Sequence, residues 1–179
     1  MKLILLALMV WSTVLPGCSH SADVGMVQRG QDQNASPELT VPISKPLKLT
    51  NGQPVASVRV APGIVAEGRD ILEVSISEVT NPTQTPVEIS VYFLLVGKGS
   101  TKEDRIAVGN FSLYPPDRPG NFLIRGTKAL ETLRTKGWDP GSELPLVFEM
   151  RRVRENETWS GIAVTIDQVK WRRDNERKH

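Results

Sequence analysis

The chain is short of the residues that carry most protein chemistry. Among 179 residues there is one cysteine, Cys18, and there are two histidines, His20 and His179, near opposite ends. A histidine or cysteine metal cluster, a Ser-His-Asp triad and a Cys-His pair all need residues that the body of the chain lacks. A single thiol also excludes an internal disulfide framework, so the fold must hold by its core alone, as a chain of this size can. Charge of one sign is missing too. The 22 basic and 20 acidic residues leave a formal +2, far from the field that strong nucleic-acid binding needs. Gly97-Lys98-Gly99-Ser100-Thr101 is glycine-rich, but its spacing is not that of a phosphate-binding loop, and it reads as a hairpin loop. No carboxylate spacing singles out a glycosidase pair. What remains, 39% hydrophobic and 23% charged, is ordinary globular composition for one domain. No cofactor and no metal are expected, and no catalytic residue stands out.

The N-terminus carries an address. Met1-Lys2 gives a short positive start, and Leu3 to Leu15 is free of charge. That run is too short to span a bilayer comfortably but suits the apolar region of a secretory signal. Leu15-Pro16-Gly17-Cys18 follows, with a branched aliphatic three before a cysteine and a small residue just before it. This resembles the lipobox of bacterial lipoproteins. The resemblance implies a signal peptide over 1–17, cleavage before Cys18, and acylation of Cys18 as the membrane anchor. Several acyl chains hold firmly where one is marginal, at about 0.8 kcal/mol per buried methylene. Ser19, in place of a retaining aspartate, fits an outer-membrane address facing the periplasm in a Gram-negative cell.

From Ser19 to about Leu47 the chain is polar and interrupted by Pro37, Pro42 and Pro46, which reads as a flexible tether over 18–46 with His20 solvated in it. Alternation then takes over. Val58 and Val60 alternate with Ser57 and Arg59; Leu72, Val74 and Ile76 with Glu73, Ser75 and Ser77; Val87, Ile89, Val91, Phe93 and Leu95 with Glu88, Ser90, Tyr92 and Leu94. Period two of this length predicts half-buried strands, and the last run, apolar on both faces at its end, predicts a central one. Ile106–Leu113, Asn121–Ile124, Leu144–Met150 and Ile162–Trp171 complete the series. Thr127–Lys136 is the exception, with Ala129, Leu130 and Leu133 on one helical face and Gly137 as a stop. The fold class is therefore all-β, an antiparallel β-sandwich or barrel-like sandwich over 47–172 with one short α-helix and a basic tail over 173–179.

Ala107-Val108-Gly109-Asn110-Phe111-Ser112-Leu113-Tyr114-Pro115 resembles a strand of the C-terminal domain of plant polyphenol oxidases. The order that follows, Leu123 to Gly137, Leu144 to Met150 and Gly161 to Lys170, resembles that domain's closing helix and strands. The Lys-Phe-Asp-Val signature is absent; the corresponding strand reads Ile89-Ser90-Val91-Tyr92-Phe93. The resemblance implies a sandwich fold and a habit of docking on another protein, such as a tyrosinase-like copper oxidase. It implies no oxidase activity, because the six copper-ligating histidines are missing.

Trp138, Trp159 and Trp171 are the candidate binding residues. Trp138 lies beside Asp139-Pro140-Gly141 and Trp159 just before Gly161, where an aromatic either anchors an interface or caps the core. The expected partners are membrane lipid through Cys18 and an envelope protein, with no nucleic acid. A carbohydrate ligand held by the tryptophans is the alternative, and a carboxylate-only enzyme ranks below both.

Overall fold

The computed structural model of the chain describes residues 39–173 apart from 64, 66–68 and 97–102. Cys18, the signal segment, the Gly97–Thr101 loop and the tail beyond 173 lie outside the described residues. Within them are nine strands and one helix: β1 Leu39–Val41, β2 Leu47–Thr50, β3 Val55–Val60, β4 Arg69–Thr80, β5 Val87–Val96, β6 Glu103–Ser112, β7 Gly120–Arg125, α1 Thr127–Thr135, β8 Leu144–Arg152 and β9 Ala163–Arg173.

Two antiparallel sheets form the sandwich. The first runs β1-β9-β4-β7, with β2 also pairing β9 along the edge that β1 uses; the second runs β3-β8-β5-β6. The alternation read from the sequence places the core. Leu72, Val74 and Ile76 of β4 and Ile89, Val91 and Phe93 of β5 are all buried between the sheets. β5 is an interior strand of its sheet, flanked by β8 and β6. At the other edge Phe111 of β6 stacks on Phe122 of β7, centroids 4.3 Å apart, joining the edges of the two sheets.

The tether boundary differs from the expectation. Leu39–Val41 is a strand, Leu39 opposite Trp171 and Val41 opposite Val169, with Val41 fully buried. Pro42 ends this strand instead of preventing it, since proline is tolerated at strand ends. Three residues are too few to show a period, so the alternation was not visible.

The helix forms where its pattern put it, with Ala129, Leu130 and Leu133 buried. Gly126 precedes it without a side-chain cap, and Thr127 Oγ1 donates to Asp70 Oδ2 at 3.0 Å. The end is a Schellman motif. Gly137 takes φ +75°, its N–H donates to the Arg134 carbonyl, and the Trp138 N–H reaches back to the Leu133 carbonyl, both at 3.0 Å. The position after the left-handed glycine is where a hydrophobic residue folds back on the last turn. Trp138 does this, half-buried against the core.

Candidate functional site

The structure puts one of the three tryptophans in the core and leaves the other two half-buried. Trp171 is 0% exposed and stacks on Phe93 across the sandwich, centroids 6.0 Å apart. It is a core residue, because β9 puts it on the same inward parity as Val169. Trp138 is the fold-back residue of the Schellman motif. Trp159 is half-buried in the β8–β9 loop, where the Thr158 carbonyl accepts from Thr85 Oγ1 at 2.9 Å. The structure therefore takes Trp171 out of any binding surface and leaves the other two packed against the core. Among the described residues, no group of three His, Cys, Asp or Glu is placed to hold a metal, and no helix is long and apolar enough to cross a membrane.

The outer faces of the two sheets differ. That of the first is polar: Ser75 lies between Asn121 and Gln168, and Glu73 between Lys170 and the exposed Leu123. On the second, Tyr92 of β5 pairs with Val147 of β8 and Ala107 of β6. Both Tyr92 and Val147 point away from the core, yet they are only 6% and 2% exposed. For Tyr92 a long cation contributes. Arg105 of β6 lies over the Tyr92 ring, its Cζ 4.8 Å from the centroid, a cation–π geometry that shields the ring.

A bulge shapes the surface around them. Val91 pairs with Gly109 but Tyr92 with Ala107, leaving Val108 as the extra residue, which twists the strand locally. A Cβ on Gly109 would lie 2.5 Å from Ile124 Cγ2 of β7, so only glycine lets the bulged strand sit this close to the other sheet. With Ser90 and Ala107 contributing little bulk, a cleft of about 410 Å³ opens on the sheet face, walled by Arg105 and Arg151 and edged by Asn110.

The cleft is electrostatically organised by Glu149. Its Oε2 accepts from Arg151 Nη2 at 2.9 Å and from Arg105 Nη1 at 3.3 Å, and the Tyr92 hydroxyl donates to the same carboxylate. The hydrogen bond from Arg151 holds the Glu149 carboxyl below its ordinary range, against the opposing effect of burial. Burial, then the Glu149 charge, pushes the Tyr92 phenol up. Glu149 in turn raises the Arg151 guanidinium. Because the Glu149 pKa is depressed by folding, its contribution to stability is complete above the unfolded carboxylate range and lost as pH falls through the folded value. The melting-temperature gap between wild type and Glu149→Gln is therefore expected to be constant above the ordinary carboxylate range and to close as pH falls through and below it. A gap independent of pH would mean that the charge of Glu149 contributes nothing.

None of these four residues stood out in the sequence. Tyr92 was one member of an alternating run, and Arg105, Glu149 and Arg151 were ordinary surface charges. Strand parity alone places Tyr92 outward, and Glu149 and Arg151 two apart on one face. That parity is the signal that was available.

No family model matches the chain, and no curated protein does. Two solved structures that it resembles are both of latent aurone synthase, a polyphenol oxidase. One was co-crystallised with hexatungstotellurate(VI), at 14% identity and TM-score 0.46 over 72% of this chain. The other was also soaked in H2O2, at 14% identity and TM-score 0.46 over 73% of this chain. The chain spans about a quarter of those oxidases, 26% in each case.

Proposed function

We propose that this is a lipid-anchored, non-catalytic envelope protein that docks on another protein through the outer face of its second sheet. The observation that carries the reading is the shielded Tyr92–Val147 pair under Arg105, beside a cleft, on a face where the opposite sheet has polar groups. Tyrosine and arginine are the side chains that protein interfaces favour, and here Glu149 fixes both in place before any partner arrives. The anchor in this reading is Cys18, and the partner class suggested by the sequence resemblance is a tyrosinase-like copper oxidase. The tryptophan-based carbohydrate reading has lost Trp171 to the core, and no observation favours it.

Two measurements test this. Wild type is expected in the membrane fraction with lipid mass on its N-terminal peptide, and Cys18→Ser in the soluble fraction; an unchanged partition removes the anchor. A photo-crosslinking residue at Ala107 is expected to capture one defined protein in cells, and the same residue at Ser75, on the outer face of the first sheet, none. Equal capture from both positions, or none from Ala107, removes the docking face.

A further inference from the structure

Charge on the cleft wall points to the chemistry of what docks there. Arg105 and Arg151 line the cleft, and neither Glu149 nor Glu88 does. Glu88 opposes Arg151 across the β5–β8 ladder, and Glu149 takes one nitrogen from each guanidinium on a single oxygen. Each guanidinium has five N–H donors in a planar fork, so most donors on both remain available to a ligand. Their side chains are 62% and 51% exposed. Between them Ser90 and Asn110 are Cα partners, and among the described residues their side chains have no intramolecular hydrogen bond. The floor is apolar where the Tyr92 ring forms it.

We propose that the cleft seats an acidic, extended segment of the partner protein, with one of its carboxylates between the Arg105 and Arg151 guanidiniums. This rests on the protein-docking reading above and deepens it. A carboxylate placed there receives charge-assisted hydrogen bonds from two forks, while the residues flanking it in an extended strand meet Ser90 and Asn110 on one side and the covered Tyr92 ring on the other. A cationic segment would meet like charge there, and a neutral polar one would give the donors that Glu149 leaves over no charged acceptor. The shape is that of a sheet face, which suits an extended chain lying across it more than a compact head group.

The test uses the full chain in detergent micelles, isotopically labelled for NMR, with two capped peptides of alternating residues, Glu-Val repeats and Gln-Val repeats. Glu-Val is expected to shift the amides of Ser90, Ala107 and Asn110 and to bind about tenfold or more tighter than Gln-Val. Its affinity is expected to fall as salt rises from about 50 to 500 mM. Arg151→Gln should reduce affinity at least several-fold, whereas Arg151→Lys, which keeps the charge, should lose less. Arg59→Gln, outside the cleft, should change nothing. Equal binding of the two peptides, or shifts that miss the cleft, overturns the proposal. So does a cleft that responds to phosphatidylglycerol vesicles and not to Glu-Val. If Ala107 captures a defined partner while both peptides leave the cleft untouched, the acidic-segment inference falls and the docking reading stands. If both fail, both fall.

Discussion

Replacing Trp171 with alanine is expected to destabilise the fold by about 3–5 kcal/mol, the usual cost of deleting a large aromatic from a packed core. The indole sits on β9, opposite Leu72 of β4 on one side and Leu39 of β1 on the other, and stacks on Phe93 from the other sheet with planes 13° apart. It therefore touches both layers of the sandwich and the short first strand at once. The chain has even given up a side chain to admit the ring: a Cβ on Gly126 would lie 2.8 Å from Cη2 and 2.9 Å from Cζ3 of the indole. Trp171→Phe keeps part of the stack and should cost clearly less. Denaturant unfolding of both variants separates this from a surface role, for which alanine would leave the midpoint unchanged. An unchanged midpoint would also mean that β1 is held by something other than the ring it lies against.

The same residue shows where the sequence was legible and where it was not. Alternation from Leu72 to Ile76 and from Val87 to Phe93 fixes which side chains face inward, because a strand has period two whatever its neighbours are. The helical period of Ala129, Leu130 and Leu133 is similarly local. A tryptophan at a strand end reads equally as a core cap or an anchor, since burial depends on what the opposite sheet presents. For Trp171 that is Phe93, far away in the chain. Trp138 was closer to legible: glycine followed by a large apolar residue after a helical run is the Schellman pattern, although the adjoining Asp139-Pro140-Gly141 turn equally suits an exposed loop position. The cleft was not legible at all. It needs β5 to lie between β8 and β6, and it needs the one-residue bulge at Val108. Neither register nor strand order follows from the pattern of any single strand.

The second large effect is expected at Asn81, just after β4 ends at Thr80. It is buried at one end of the sandwich and ties two loops together. Its Nδ2 donates to the Thr85 carbonyl at 2.8 Å and to the Pro116 carbonyl at 3.0 Å. Its Oδ1 accepts from the Thr85 N–H at 3.2 Å and the Thr83 hydroxyl at 3.3 Å. The β4–β5 turn is thereby fixed to the β6–β7 loop, and Thr85 carries the connection on to Thr158 in the β8–β9 loop. Asn81→Ala leaves backbone groups with no partner in a site that water reaches poorly, at about 1–3 kcal/mol for each group so stranded. A loss of about 2–4 kcal/mol in unfolding free energy is expected. Asn81→Asp discriminates the cause. It preserves volume and the acceptor but turns a carboxylate oxygen toward two carbonyls, so near neutral pH it should be at least as damaging as alanine. Protonation restores a donor, so the gap to wild type should narrow as pH falls because the variant recovers, whereas the Glu149→Gln gap closes because wild type loses stability. An Asn81→Ala variant within about 0.5 kcal/mol of wild type, the range of an ordinary surface change, would show that the loops are held by their own packing and that the hydrogen-bonded hub is incidental.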